Sequence, residues 1–476
     1  MNTLNTLLAP GETILTQTQG RCLTCGDMLP MDVVRTPGAV GLPDRVVGRR
    51  RCPSHGPHES LLASNARWYF VPPSDEKSCG AGCGCHAASG DAKATLGKNF
   101  ALEGAFPDTL NTCIALFHIV EGCNLACPTC FADAPHVIGQ GAVPLEEFRR
   151  RVDAAVAKKG DLEILMLSGG EPTIHPDLLE MLAWLKNHSG VQYVMLNTNG
   201  MKLARDPSLA RSIGDIFARP KGGLQVYLQF DGPGEAGQVE LRGADLRAMR
   251  LRAIENLSAA EVPVTLAMTV TPANVGTLWD TVLVSADNPW VHGVALQPEF
   301  SSGRAPHGAA DRLTAACVID GLIAQSGGTL TERSITPLPC GHPNCTFVGY
   351  VLRRADGTLA PVFDALPMDR LQGFLANSLH YTLDQLAQCG CDTTEMGALL
   401  HDIEGGASAA ALGGDVRQML AELKAGGRLI RIVVKPFMGV ETFDARRVGM
   451  CCTHVLTPSG AMESFCSYYG GWGKKG

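Results

Sequence analysis

The chain has 476 residues, of which 45% are hydrophobic and 18% charged, and its formal net charge is −7 at pH 7. This length predicts roughly two to four domains, and the negative charge without a dense Lys/Arg run argues against a nucleic-acid partner. Neither a signal peptide nor a run of about 18 apolar residues is visible, so we expect a cytoplasmic protein. Peripheral contact with the inner face of a membrane stays open.

The 18 cysteines are the most informative part of the composition. In a reducing compartment so many cysteines are not expected to form structural disulfides. Most of them recur at short spacings, as thiolates do when one loop must reach one metal, so we predict that most bind metal. Cys113 and Cys317 each stand alone in an apolar segment and are predicted to be structural. The groups are Cys22, Cys25 and Cys52; Cys79, Cys83 and Cys85; Cys123, Cys127 and Cys130; Cys340 and Cys345; Cys389 and Cys391; and Cys451, Cys452 and Cys466.

Residues 1–110 contain cysteine groups and only short apolar runs, which predicts a loop-rich metal-binding region. Two short turns that carry Cys22, Cys25 and Cys52 can face each other and close a tetrahedral iron or zinc site. The fourth ligand is open: it is one of Cys79, Cys83 and Cys85, or His55, for which a plain turn role is slightly favoured. These ligand types do not separate iron from zinc.

Residues 111–330 alternate strand-length apolar runs with helical patterns. Repeated βα units predict a parallel sheet with right-handed crossovers. Six units are too few for an eight-fold barrel, so we predict an α/β fold with a partial (β/α)6 barrel. The predicted strands are 113–120, 163–167, 192–196, 224–230, 262–270 and 291–296, and the clearest predicted helices are 145–158, 177–187 and 245–260.

Residues 331–476 are irregular in pattern, with one predicted helix at 408–425 and cysteines on either side of it. We predict that they form a separate C-terminal metal-binding domain. No sequence repeat of 20–50 residues is visible.

A triplet of cysteines, Cys123, Cys127 and Cys130, directly follows the first predicted strand of the barrel. Three thiolates can hold three irons of a cubane and leave the fourth iron open, as a catalytic centre requires. The loop would lie at the C-terminal mouth of the barrel, where such folds build active sites. A zinc site is the alternative interpretation of the triplet taken alone.

The triplet, Phe131 and the downstream sequence Ser-Gly-Gly-Glu-Pro-Thr at residues 168–173 together resemble the radical S-adenosylmethionine (SAM) superfamily. The resemblance implies a [4Fe–4S] cluster whose open iron binds SAM, reductive cleavage to a 5′-deoxyadenosyl radical, and hydrogen abstraction from a substrate. A reducing donor of the flavodoxin or ferredoxin type is implied as well. The implied SAM-binding residues are Gly169, Gly170, Glu171, Asn197, Thr198, Asn199, Gln229, Asp231 and Gln297.

The C-terminal motifs, with the N-terminal Cys-Pro-x-His-Gly element, resemble the tetraether lipid synthase branch of that superfamily. This resemblance implies carbon–carbon bonds between unactivated carbons of lipid chains, auxiliary [4Fe–4S] clusters and a rubredoxin-like mononuclear site. Cys340, Cys345, Cys451 and Cys466 are the simplest set of four for one auxiliary cubane. The doubled Cys451-Cys452 and the Cys389-Gly-Cys391 pair depart from the pattern.

Two other functions compete with lipid coupling. One is a radical SAM enzyme that modifies a peptide or another small molecule. The other is a non-catalytic iron–sulfur or zinc protein, which the Gly-Gly-Glu-Pro element disfavours because an electron carrier needs no SAM pocket. No residue is assigned a catalytic role from the sequence.

Overall fold

The computed structural model describes residues 8–71, 112–218, 223–305, 312–338, 341–362, 418, 422–423 and 425–470. Most of the predicted helix at 408–425 lies outside these ranges. Six cysteines also lie outside them, namely Cys79, Cys83, Cys85, Cys340, Cys389 and Cys391. None of the helices within these ranges is long and apolar enough to cross a membrane.

The N-terminal region is a four-stranded antiparallel sheet in which each strand pairs with the next. The expectation of a loop-rich region is therefore wrong for these residues. The first strand buries only Gly20 completely, so it lacks the alternation by which a half-buried strand is recognised. It forms through pairing with its neighbour. The strands are β1 (Thr13–Arg21), β2 (Met28–Thr36), β3 (Arg45–Cys52) and β4 (Gly56–Ala63).

Six parallel strands form the centre of the molecule and lie side by side in chain order. Their outward-facing residues join the helices in one large buried core, with Phe117, Leu165 and Leu196 fully buried. The partial (β/α)6 barrel is thereby confirmed. The strands are β5 (Ile114–Val120), β6 (Leu162–Gly169), β7 (Val191–Thr198), β8 (Gly223–Gln229), β9 (Val264–Val270) and β10 (Val291–Pro298).

The helices between these strands cover the outside of the barrel. The first is typical, because Phe148, Val152 and Ala155 recur at helical spacing and are its buried stripe. It has acidic residues in its first turn and lysines in its last, which suits the helix dipole. The helices are α1 (Leu145–Lys159), α2 (Leu178–Lys186), α3 (Met201–Arg205), α4 (Pro207–Phe217), α5 (Glu235–Arg242), α6 (Arg247–Ala259), α7 (Leu278–Asp287) and α8 (Ala315–Gln325).

Strands from the C-terminal region extend both edges of the central sheet. A strand parallel to β10 continues one edge, and another parallel to β5 continues the other. A sheet of twelve strands thus runs past residue 330, and the predicted domain boundary there does not separate two sheets. The elements are β11 (Ile335–Pro337), β12 (Phe347–Arg353), β13 (Leu359–Pro361), β14 (Arg428–Val434), α9 (Ala445–Gly449), β15 (Thr453–Leu456), β16 (Met462–Ser464) and α10 (Phe465–Tyr469).

The two edges approach each other across the open side of the barrel. Lys435, which follows β14, donates from Nζ to the hydroxyl of Thr453 in β15 over 3.2 Å. The curved sheet therefore encloses an interior whose wall includes C-terminal strands as well as the six predicted ones.

The pairing of β10 with β14 depends on a glycine. Gly293 is the partner of Arg431, and a Cβ atom on Gly293 would lie 2.3 Å from the Arg431 carbonyl oxygen. In Gly293→Ala the two strands must separate, so we expect a loss of about 1–3 kcal/mol in the free energy of unfolding. Urea denaturation measures it. The control is Gly276→Ala, whose Cβ meets nothing within 4 Å. Equal midpoints for the two variants would contradict this account of the pairing.

Candidate active site and metal centres

A cavity of about 250 Å³ lies inside the barrel and opens at the C-terminal ends of its strands. Cys123, Cys127 and Cys130 line it. Eight of the nine predicted SAM-binding residues line it too, and the ninth, Asp231, lies directly behind Gln229. The eight are Gly169, Gly170, Glu171, Asn197, Thr198, Asn199, Gln229 and Gln297.

The cysteine loop is held by backbone hydrogen bonds and by one arginine. The Cys123 N–H donates to the Pro135 carbonyl over 2.9 Å. Arg304 donates to the carbonyl oxygens of Cys127 and Ala134, at 3.1 and 3.0 Å. Burial raises the pKa of the Cys123 thiol to about 11. The thiol therefore keeps its proton at neutral pH until a metal cation displaces it.

The end of β6 lies directly against this loop. Gly170 donates to the Val120 carbonyl and Glu171 to the Gly122 carbonyl, over 2.8 and 3.0 Å. A Cβ on Gly170 would lie 2.1 Å from the Gly122 oxygen, and Gly169 has φ of +129°, which side chains disfavour. The Gly-Gly pair thus allows two backbone segments to touch, and this contact places Glu171 beneath the cysteine loop.

Glu171 is 1% exposed, and its carboxylate accepts hydrogen bonds from three neighbouring residues. The Thr173 N–H donates over 3.0 Å, the Thr198 hydroxyl over 2.7 Å and the Asn199 N–H over 2.7 Å. The Thr173 hydroxyl donates as well. Burial raises the pKa of Glu171, and these hydrogen bonds oppose that shift. The carboxylate therefore joins the ends of β6 and β7.

Three amide side chains present polar atoms to the cavity. Asn197 donates to the Ser168 hydroxyl over 3.2 Å, while no described residue donates to its buried Oδ1. Gln297 donates to the Tyr227 hydroxyl over 2.8 Å, and Gln229 donates to Asp231 over 2.6 Å. The Oδ1 atom of Asn197 is thus a buried acceptor in a residue that lines the cavity.

Asp231 is fully buried and forms a two-pronged ion pair with Arg242, at 2.6 and 2.8 Å. Burial raises the pKa of Asp231, but Arg242 outweighs it and holds the pKa below its usual range. Arg242 also interacts electrostatically with Cys127. The structure therefore places Asp231 behind the cysteine loop, with protein groups as its hydrogen-bond donors.

Sequence reasoning missed two arginines of this site. Arg242 ends α5, and Arg250 of α6 donates to the carbonyl oxygens of Asn199 and Gln229, over 2.7 and 2.6 Å. Arg250 is fully buried, and burial lowers its pKa to about 10. Both occupy helical positions with no distinguishing spacing, so the sequence offers no signal for them.

The described C-terminal cysteines lie close enough together to interact with one another. Cys345, Cys451, Cys452 and Cys466 interact electrostatically, and burial raises the pKa of both Cys452 and Cys466 to about 11. Arg447, 8% exposed, donates from Nε to the Cys345 sulfur over 3.5 Å. Cys340 of the predicted ligand set lies outside the described residues.

An N-terminal metal-binding cluster is formed by Cys22, Cys25, Cys52 and His55. Their ligand atoms all lie within 4.8 Å of one another. The His55 Nδ1 atom is 3.6 Å from the Cys22 sulfur and 3.4 Å from the Cys52 sulfur. Burial opposes ionisation of Cys22, but N–H groups of Cys25 and Thr24 outweigh it and hold the thiol pKa below its usual range. Three sulfurs and one imidazole suit a tetrahedral ion.

The two cysteines predicted to be structural differ in their surroundings. Cys317 is the third residue of α8 and shares a capping box with Thr314, which explains its role without a metal. Cys113 is 1% exposed and is disulfide-bonded. Its N–H donates to the Cys452 carbonyl over 2.9 Å, so it lies beside the C-terminal cysteines.

Comparison with known families agrees with the geometry of this site. Residues 117–283 match the model of the Radical SAM superfamily. This segment runs from within β5 through β9 into α7, and it contains the cysteine triplet and the Gly-Gly-Glu element. Residues 117–283 therefore form a radical SAM domain, and this family implies a [4Fe–4S] cluster and SAM as cofactors.

Several curated proteins and solved structures are similar to this chain. The 7,8-dihydro-6-hydroxymethylpterin dimethyltransferase of Methanocaldococcus jannaschii is 24% identical, with 95% of this chain and 93% of that protein aligned. The mycofactocin maturase MftC of Mycobacterium ulcerans is 27% identical over 34% of this chain and 42% of its own. The structure of Streptococcus suis SuiB bound to precursor peptide SuiA aligns with a TM-score of 0.37 and 14% identity, covering 46% of this chain and 47% of that chain.

The residues at the barrel mouth fit these cofactors. Three thiols on one loop suit a cluster with one open iron, and Cys123 is buried while Cys127 and Cys130 are half-buried. Asn197 and Glu171, two of the predicted SAM-binding residues, line the same cavity as these thiols.

Glu171→Gln tests the role of this carboxylate. A charge-assisted hydrogen bond to the SAM ammonium group is worth roughly 1.5–3 kcal/mol, so we expect the dissociation constant of SAM to rise about ten-fold or more, with iron content unchanged. Equilibrium binding of SAM and iron analysis measure this. Glu146→Gln is the control, because the Glu146 side chain is 82% exposed. Unchanged SAM affinity would show that Glu171 only joins β6 to β7.

Cys22→Ser and His55→Ala test the N-terminal site. We expect wild-type protein to retain one iron or zinc ion there, Cys22→Ser to lose it, and His55→Ala to release it at a lower chelator concentration, because each removes one of four ligands. Metal analysis after dialysis measures this. Cys317→Ser is the matched control. If His55→Ala holds the metal as wild type does, the fourth ligand is another residue.

Proposed function

We propose that this enzyme abstracts hydrogen from unactivated carbons of lipid chains and joins two chains by a carbon–carbon bond. This proposal rests on the apolar side chains that line the cavity below the proposed SAM-binding residues. Ile114, Leu116, Ile164, Met166 and Met195 point inward from β5, β6 and β7 and form one buried apolar cluster. Such a wall suits a hydrocarbon substrate, because contact removes apolar surface from water.

The residues that line the cavity have two proposed roles: one belongs to its rim, where the barrel strands end, and one to its apolar wall. Cys123, Cys127 and Cys130 are proposed to hold the cluster, and the polar residues at the strand ends to hold SAM. When bound, these cofactors supply a carbon-centred radical able to abstract hydrogen. The apolar wall excludes water and holds the alkyl carbon close to the rim. The radical therefore reacts with the substrate and not with solvent.

The C-terminal cysteines are proposed to hold an auxiliary [4Fe–4S] cluster. Cys466 belongs to the same apolar cluster as Met166 and Phe300, so a cluster there would lie next to the substrate cavity. Cys345 and Cys451 interact with it electrostatically, and Cys340 is the fourth proposed ligand. The N-terminal site is proposed to hold a mononuclear iron or zinc ion. A reducing protein of the flavodoxin or ferredoxin type supplies electrons.

A second candidate is modification of a small molecule or a peptide. The relative from Methanocaldococcus jannaschii aligns along almost the whole chain and is named for a pterin substrate. A ring system of that size would need polar contacts, and the amide groups of Asn197, Gln229 and Gln297 are available at the rim. Accumulation of a modified pterin or peptide in place of a coupled lipid would identify this candidate.

The test is an anaerobic assay with SAM, dithionite and a dialkyl phospholipid, in which 5′-deoxyadenosine and coupled lipid are both measured. Joining two C–H carbons removes two hydrogen atoms, so we expect two 5′-deoxyadenosine molecules and two electrons per bond formed. Replacing Cys123, Cys127 and Cys130 together by Ala should remove about four irons and abolish both products.

Cys466→Ala tests the proposed auxiliary cluster separately from SAM cleavage. We expect it to lose about four irons, to keep making 5′-deoxyadenosine, and to form no coupled lipid. Cys317→Ser serves again as the thiol control and should keep both products. If Cys466→Ala keeps all its iron, the C-terminal region holds no such cluster. If wild-type enzyme cleaves SAM and no lipid product forms, the lipid substrate is wrong.

A further inference from the structure

A second histidine lies beside the N-terminal metal-binding cluster. The Nε2 atom of His58 is 3.4 Å from the Cys22 sulfur, as close as the Nδ1 atom of His55 is to the Cys52 sulfur. His58 is nevertheless not one of the four residues whose ligand atoms all lie within 4.8 Å of one another. It therefore approaches the cluster at one sulfur, and the four-ligand site leaves it without a role.

Strand β4 places His58 against this sulfur. The residues of the strand alternate, so that Pro57 and Glu59 are exposed whereas Ser60 is buried and His58 half-buried. His58 thus shares one face of the strand with Ser60, and it meets Cys22, which follows β1 at the opposite edge of the sheet. Among the described residues, Cys22 is the only hydrogen-bond partner of the His58 imidazole.

The sulfur of Cys22 lies in a site that suits a hydrogen-bonded thiolate. Cys22 is fully buried, whereas Cys25 is exposed. The Thr24 N–H donates to the Cys22 sulfur over 3.4 Å. Water does not reach a fully buried sulfur, so a thiolate there depends on N–H groups of the protein. An imidazole N–H beside Cys22 supplies one more such donor.

A buried arginine also acts on this sulfur. Arg50 pairs with His58 in the β3–β4 ladder and is 2% exposed, and its charge acts on Cys22 and on Glu441. Its guanidinium donates to the Ser60 hydroxyl and to the Glu441 carbonyl oxygen, over 3.0 and 3.1 Å. These bonds hold Arg50 independently of His58. A comparison of His58 variants therefore leaves this charge unchanged and measures the imidazole alone.

We propose that His58 donates a hydrogen bond from Nε2–H to the thiolate of Cys22, whereas His55 is the histidine that binds the metal ion. This inference rests on the proposed mononuclear site, and it adds a positioning residue that acts on the metal through Cys22. A hydrogen bond to a ligand sulfur withdraws electron density from the sulfur, so it favours the more negative, reduced state of a bound iron ion.

The alternative role for His58 is that of the fourth ligand in place of His55. A separation of 3.4 Å between nitrogen and sulfur is compatible with either role, because two ligand atoms of one tetrahedral ion lie about 3.5 Å apart. The Nδ1 atom of His55 lies within 3.6 Å of the sulfurs of both Cys22 and Cys52, whereas His58 contacts one sulfur. The His55 nitrogen is therefore the one placed to complete a tetrahedron with the three sulfurs.

The experiment is absorption spectroscopy of the whole protein loaded with Co²⁺, from which the spectrum of Cys22→Ser is subtracted so that only bands of the N-terminal site remain. We expect His58→Leu to keep the tetrahedral d–d bands, to shift the thiolate-to-cobalt charge-transfer bands to lower energy, and to weaken Co²⁺ binding about ten-fold or more. His58→Gln, whose amide can donate to the same sulfur, should restore both. His55→Ala should instead change the d–d bands, because a nitrogen ligand is lost. The control is His292→Gln, at an exposed histidine of β10, which should behave as wild type.

Three outcomes would overturn the inference. Charge-transfer bands at the same energy in wild type and His58→Leu would exclude a hydrogen bond to Cys22. Loss of the d–d bands in His58→Leu, with those of His55→Ala unchanged, would make His58 the ligand. Wild-type protein without any cobalt band beyond those of Cys22→Ser would refute the mononuclear site together with this inference. The readout is spectroscopic, so absence of coupled lipid would refute the proposed substrate and leave the role of His58 standing.

Discussion

The contact between two backbone segments at the mouth of the barrel determines the rest of the site. The end of β6 touches the loop that follows β5, and at Gly169 and Gly170 there is no space for a Cβ atom. Because the segments touch, the cysteine triplet and the first predicted SAM-binding residues share one edge of the cavity. A larger residue at Gly170 would push the loop outward and separate the thiols from Glu171.

The buried charged side chains at the mouth of the barrel are held in place by hydrogen-bond partners. The Glu171 carboxylate binds donors from β7 and the following turn, the Asp231 carboxylate pairs with Arg242, and Arg250 donates to two strand-end carbonyl oxygens. Removing one partner would leave an uncompensated buried charge, which costs several kcal/mol. The strand ends are therefore held rigidly before any cofactor binds, as a preorganised site requires.

The C-terminal region completes the cavity. Phe465 and Tyr469 of α10 pack on Phe131 of the cysteine loop, with ring centres 5.9 and 4.9 Å apart. The Ser302 hydroxyl donates to the carbonyl oxygens of Phe131 and Tyr469. Since Phe131 follows Cys130 and Phe465 precedes Cys466, this aromatic packing connects the two cysteine sites.

The amino-acid sequence by itself determined the features that depend on neighbours in the chain. The six strands of the barrel and helix α1 were predictable because hydrophobic periodicity is local, and the cysteine triplet because three ligands on one loop have a fixed spacing. The strand-end position of Glu171 followed from the same pattern. The N-terminal strand β1 was missed because all of its residues except Gly20 are exposed or half-buried, so no buried apolar side chains mark it as a strand.

Only the tertiary structure decided which distant segments meet. Nothing in the spacing of residues predicts that β14 pairs with β10 or that Arg242 neutralises Asp231. The sequence left His55 as one of several possible ligands, and the fold brings it beside Cys22 and Cys52. The same is true of Lys435, which enters the cavity only because β14 closes the wall of the barrel. Such contacts arise when the folded chain buries its surfaces, and burial depends on the whole packing arrangement. A local pattern of residues therefore does not specify which distant segments pack together.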